Sequence, residues 1–142
     1  MTNLVIWNEF IHEQEDEIVK SIYPRGIHNR LKDFLNEERS LNITTATLQE
    51  VDHGLPEALL DETDVLIWWG HKAHKLVEDR IVDRVQQRVL EGMGLVVLHS
   101  GLCGGPEHRL AATHEGRGIR APDGGQRRLG LLEELEHGPP ET

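Results

Sequence analysis

A chain of 142 residues is about one domain long, and 37% apolar with 28% charged residues is a globular balance with no run near the roughly 18 to 20 apolar residues that span a bilayer, which excludes an integral membrane protein. Twenty-five acidic residues against 15 basic ones give a net charge of −10, with Arg127-Arg128 the sole basic pair, so neither nucleic acid nor an anionic membrane is an expected partner. The lone Cys103 can form no internal disulfide, and Met1-Thr2-Asn3 opens no basic, long-apolar leader, so a cytoplasmic location is expected.

Leu4-Val5-Ile6-Trp7 is a continuous apolar run, the pattern of a strand buried on both faces, predicted over 3–7. A polar turn with Asn8, Glu9, His12 and Glu13 leads into a charged helical stretch that ends near Tyr23-Pro24. Ile27, Leu31, Phe34 and Leu35 then recur at helical spacing and predict an amphipathic helix over one sheet face. The β-branched run at 43–47 is a second strand, Pro56 to Asp61 a short helix, and 64–69 a third strand. Apolar residues from Leu76 to Leu90 predict a longer helix, with Gly92 where a glycine cap belongs and a fourth strand over 94–98.

Strands separated by about a dozen residues with intervening helices imply right-handed crossovers and a parallel sheet, predicted in the order 2-1-3-4. Residues 102–142 are Gly-, Arg- and Pro-rich, contain no Val, Phe, Trp or Tyr, and are expected to be an irregular tail. Only Arg127 to His137, with Leu129, Leu131, Leu132 and Leu135, suits a short helix there.

Ligands of open parallel sheets bind outside the carboxyl ends of the strands. There the chain has His12 after strand one, His71 and His74 after strand three, and His99 after strand four. His71 and His74 at i, i+3 share a face if they open a helix, and with His12 and His99 they are the candidate ligands of zinc or another divalent metal. A hydrogen-bonded histidine cluster with no metal is the alternative. Glu9 and Glu13 are candidate carboxylate ligands or general bases, or else helix-start residues facing the dipole. The turn His99-Ser100-Gly101 is where α/β enzymes expose a nucleophile, although no G-x-S-x-G surrounds it. His99, Ser100 and Glu9 are therefore the catalytic candidates, and Asn8, Trp69, Gly70 and Gly101 the substrate-binding ones, since a strand-end tryptophan can stack on a sugar ring. His28 and His53 are expected at the surface, and core packing is the alternative reading of the Trp68-Trp69 pair.

The ordered set Trp7-Asn8-Glu9-Phe10-x-His12-Glu13, Ile22-Tyr23-Pro24-x-Gly26-Ile27-His28, Thr45-Ala46-Thr47-Leu48, Asp64 to His74 and Val89 to Leu95, closing on Leu98-His99-Ser100-Gly101, resembles the ThuA family, named for trehalose utilisation, over residues 3–101. The resemblance implies a flavodoxin-like α/β domain related to class I glutamine amidotransferases. Because His99-Ser100-Gly101 stands where those enzymes carry their reactive cysteine, it does not imply their thiol chemistry. It implies a role in trehalose or disaccharide utilisation, with a small-molecule sugar as partner. Past Gly101 the family pattern stops abruptly, as it does when a GC-rich gene is read out of frame, so 102–142 is expected to be frameshifted or truncated; a natural divergent tail is the alternative. Two functions follow as expectations: a sugar-directed protein or carbohydrate-modifying enzyme with a histidine pocket, and a non-catalytic binding or oligomerisation domain, disabled by loss of its C-terminal half. An uncovered fourth strand would make the protein a homo-oligomer.

Overall fold

A computed structural model describes residues 1–98. Within them the elements run β1 (Thr2–Asn8), α1 (His12–Glu15), α2 (Glu17–Ile22), α3 (Ile27–Leu35), β2 (Leu41–Thr47), a 3₁₀ turn (Val51–Gly54), α4 (Glu57–Asp61), β3 (Val65–Trp69), a second 3₁₀ turn (His74–Leu76), α5 (Asp79–Glu91) and β4 (Gly94–Leu98). The four strands are all parallel, in the order β2-β1-β3-β4. This is the expected α/β, flavodoxin-like winding. The continuous apolar run of β1 is explained by its place: it pairs on both edges and is covered on both faces.

The pleat of β1 sends alternate residues to two cores. Val5 and Trp7 join Leu66, Trp68 and Leu95 beneath Ile81, Val82, Val85 and Val89 of α5. Leu4 and Ile6 join Ile43 on the other face, packed by Leu31 and Leu35 of α3. Trp7 and Trp68, paired in register on neighbouring strands and wholly buried, stack at 3.9 Å between ring centroids.

The helix expected from Leu76 begins instead at Asp79, because the segment before it makes a 3₁₀ turn and then an extended Val77-Glu78. Gly92 ends α5 as expected, at φ +122, with its N–H donated to the carbonyls of Arg88 and Val89. Asp16 caps α2 by accepting from the N–H groups of Ile18 and Val19, which holds its carboxyl below the ordinary range.

The α3 face is covered unevenly. α3 packs on β1 and β2, whereas Val96 on β4 is 44% exposed. Parallel sheets are ordinarily covered on both faces, so this strip of β4 is apolar surface that no element among the described residues covers.

Truncating the central-strand Leu66, wholly buried, should cost about 2 to 5 kcal/mol, seen as a fall in the urea midpoint at constant slope. Val96→Thr should stay within about 0.5 kcal/mol of the parent in the same measurement.

Candidate functional site at the carboxyl ends of β1 and β3

Strand register brings the last residues of β1 and β3 side by side: Asn8 lies opposite Trp69, and the pairing continues one step further, as the Glu9 N–H donates to the Trp69 carbonyl at 3.2 Å. Past this point the two chains become loops, and one carboxylate ties them together. Glu9 is 1% exposed. Its Oε1 accepts from the Lys72 N–H at 2.6 Å and its Oε2 from the Ala73 N–H at 2.8 Å. The loop after β2 joins the same knot, with the Gln49 side-chain amide donating to the Glu9 carbonyl at 2.9 Å. A buried carboxylate is tolerated only where such donors replace its hydration. Glu9 thus positions the loop that carries His71 and His74; both of the oxygens a general base would use are already engaged.

His71 and His74 do not share a helical face. His71 lies in a bend, and His74 opens only a three-residue 3₁₀ turn, because Ala73 turns its N–H inward to Glu9 and the segment never closes an α-helical turn. The histidine that does meet His71 comes from α1: the rings of His12 and His71 stack with centroids 5.2 Å apart and planes 28° from parallel. An ion pair between Lys72 and Glu15 at 3.1 Å links the same two segments beside them. Among the described residues, no three His, Cys, Asp or Glu side chains come together as a metal-binding set. The described residues offer two of the predicted imidazoles in contact, and His74 does not complete the set. His99, Ser100, Gly101 and Cys103 lie outside the described residues. Trp69 is half-buried and Gly70 buried at the end of β3.

On the α3 face the structure corrects the sequence reading. His28, expected at the surface, is 5% exposed and belongs to a polar cluster beneath the start of α3. Asn8 organises it. The Phe10 N–H donates to Asn8 Oδ1 at 3.0 Å, so Asn8 Nδ2 is left to donate to Glu13 Oε1 at 2.7 Å and to face His28 Nδ1 at 3.0 Å. His28 meets an amide nitrogen at each ring position, Asn8 Nδ2 at Nδ1 and Asn29 Nδ2 at Nε2, each at 3.0 Å. Burial pushes the His28 imidazole below its ordinary range, against the pull of Glu13 and Glu50. Glu13, 4% exposed, accepts a second bond on Oε1 from the Ile27 N–H at 3.0 Å, while its Oε2 is buried with no hydrogen-bond partner among the described residues. Gly26 closes the cluster at φ +81; a Cβ there would lie 2.4 Å from the His28 ring. Phe10, held at φ +49, meets that ring edge-on at 5.0 Å. A positive φ at a bulky residue is a strained conformation.

His53 also leaves the surface. Its Nδ1 bonds the Leu48 carbonyl at 2.8 Å, its Nε2 accepts from the Glu78 N–H at 3.2 Å, and its own carbonyl accepts from Trp7 Nε1 at 2.9 Å. Spacing cannot reveal either placement, because His28 is buried, and His53 half-buried and bonded, by residues that only the fold brings to them. The Asn8-x-x-x-x-Glu13 pair and Gly26, two residues before His28, are the available signals for the first of them.

Glu9→Gln should cost about 1 to 3 kcal/mol, since the new amide opposes one of two buried N–H groups, and should speed amide exchange at Lys72 and Ala73 above all other sites. A second expectation concerns pH. His28 holds fewer protons folded than unfolded, so its share of stability is complete above about pH 6.5 and is lost as pH falls through the lowered folded value. Chemical denaturation across that range should show this acid-side loss, and His28→Gln should flatten it.

In comparison with known protein families, residues 3–114 match the model of one described as "ThuA: Trehalose utilisation", thirteen residues beyond Gly101. No curated protein matches the chain.

Proposed function

Because the chain belongs to the ThuA family of trehalose utilisation, we propose that it serves disaccharide utilisation through a sugar-directed pocket at the carboxyl ends of β1, β3 and β4. The observation that carries this reading is the His12–His71 contact, which unites the loops of two adjacent strands where an open parallel sheet binds its ligands. Trp69 supplies an apolar ring for a sugar face and Asn8 stands beside it in register. Glu9 fixes the β3 loop against β1 so that the pocket wall is in place before a ligand arrives.

His12 and His71 fit a divalent ion as two neutral imidazole ligands, and zinc is the ion such nitrogens suit. A third ligand would have to come from outside the described cluster, and His99, which follows directly on β4, is the proposed one. When bound, such an ion would act as a Lewis acid on a sugar oxygen. The chain's own contribution is to hold the two rings in contact and to orient the sugar on Trp69. His99 and Ser100 remain the proposed groups for proton transfer. A cytoplasmic carbohydrate-modifying role and self-association through the exposed β4 strip complete the proposal; for the described residues, no helix is long and apolar enough to cross a membrane.

Titration of chelator-treated protein with Zn²⁺ should give one stoichiometric site whose affinity falls at least tenfold in His71→Ala and in His12→Ala, since losing a ligand costs no less than the roughly tenfold that losing a residue behind a ligand costs. Trehalose added to the same samples should bind saturably. Stoichiometric zinc uptake unchanged by both substitutions would dismiss the histidine pair, and a monomer at all concentrations in sedimentation would dismiss self-association.

A further inference from the structure

We infer that Glu13, through its unpartnered Oε2, is the acceptor for a hydroxyl group of the bound sugar, an inference that rests on the sugar-directed reading of this end of the sheet. The two carboxylates that follow β1 are both buried, yet they differ in what their oxygens do. Glu9 has each oxygen matched to a backbone N–H. Among the described residues, Glu13 has both of its bonds on Oε1, from Asn8 Nδ2 and the Ile27 N–H, and none on Oε2. Those two bonds fix the carboxylate, so Oε2 cannot swing to water without surrendering both of them. A buried acceptor without a donor is rare, and where one occurs the missing donor is a water, an ion or a ligand group.

The surroundings point to a ligand hydroxyl. The anchor of the cluster, Asn8, is the β1 residue in register with Trp69, so the unfilled oxygen belongs to a network that begins beside the proposed stacking ring. Among the described residues, the two N–H donors that reach this carboxylate, Asn8 Nδ2 and the Ile27 N–H, both fall on Oε1. Phe10, the residue between Asn8 and Glu13 that lies against His28, is held at positive φ, a conformation that proteins retain where local geometry serves a ligand. A neutral hydroxyl donating to a fixed carboxylate makes a charge-assisted bond, and requires no second charge in the cluster.

Trehalose and glucose are the probes, with binding followed by calorimetry on the full chain and by the side-chain carboxyl ¹³C signal of Glu13. Glu13→Gln should weaken trehalose binding about tenfold or more, and trehalose should shift the wild-type Glu13 signal. A weakening in Glu13→Gln with none in His12→Ala or His71→Ala upholds the role of Glu13 and removes the histidine pocket. The reverse pattern upholds that pocket and overturns the role of Glu13. Saturable binding that leaves the Glu13 signal unmoved overturns it even if the variant does not fold, and absence of saturable binding of either sugar to the wild type overturns both readings.

Discussion

The site depends on one buried charge. Glu9 sits where β1 stops being a strand, and its two bonds to consecutive backbone N–H groups stop the chain after β3 from following any course but the observed one. A parallel ladder ends where its strands diverge, and loops beyond it are ordinarily held by solvent-facing contacts of little energy. Here the tie is desolvated and charge-assisted, which makes it stronger than such contacts. The His12–His71 contact, the Lys72–Glu15 ion pair and the inward turn of Ala73 all lie within two residues of an atom that this carboxylate holds or in direct contact with one that does.

The fold was legible because its signals are local. β1 and β3 are short apolar runs, α3 and α5 are amphipathic at helical spacing, and the lengths between strands admit only crossovers. Gly92 marked its cap for the same reason. The error at Leu76 has a physical source: Leu76 and Val77 fit the α5 apolar repeat, but the Ala73 N–H is taken by Glu9, sixty-four positions away in sequence, and the chain makes a 3₁₀ turn first.

The site was legible in part. That histidines gather after β1 and β3 follows from their places at strand ends, but the pairing of His12 with His71, rather than His71 with His74, comes from tertiary packing that no spacing encodes. Glu9 and Glu13 were indistinguishable as letters. They differ only in where the fold places the donors, two on separate oxygens in one case and two on a single oxygen in the other. His28 illustrates the opposite failure, since a histidine after Gly26 in a polar stretch reads as surface until α3 is laid on the sheet and buries it.

The stacked pair Trp7 and Trp68 gives the protein an intrinsic optical label. Two indoles 3.9 Å apart, inclined by only 21° and sealed from water, couple their electronic transitions, so their circular dichroism reports on the spacing of the rings rather than on the bulk of the chain. Because these residues are the penultimate ones of β1 and the second-last of β3, the coupled signal is seated one residue below the ends that carry Glu9 and His71. A loosening between the two strands that bear the site would therefore be visible in the spectrum without any added dye.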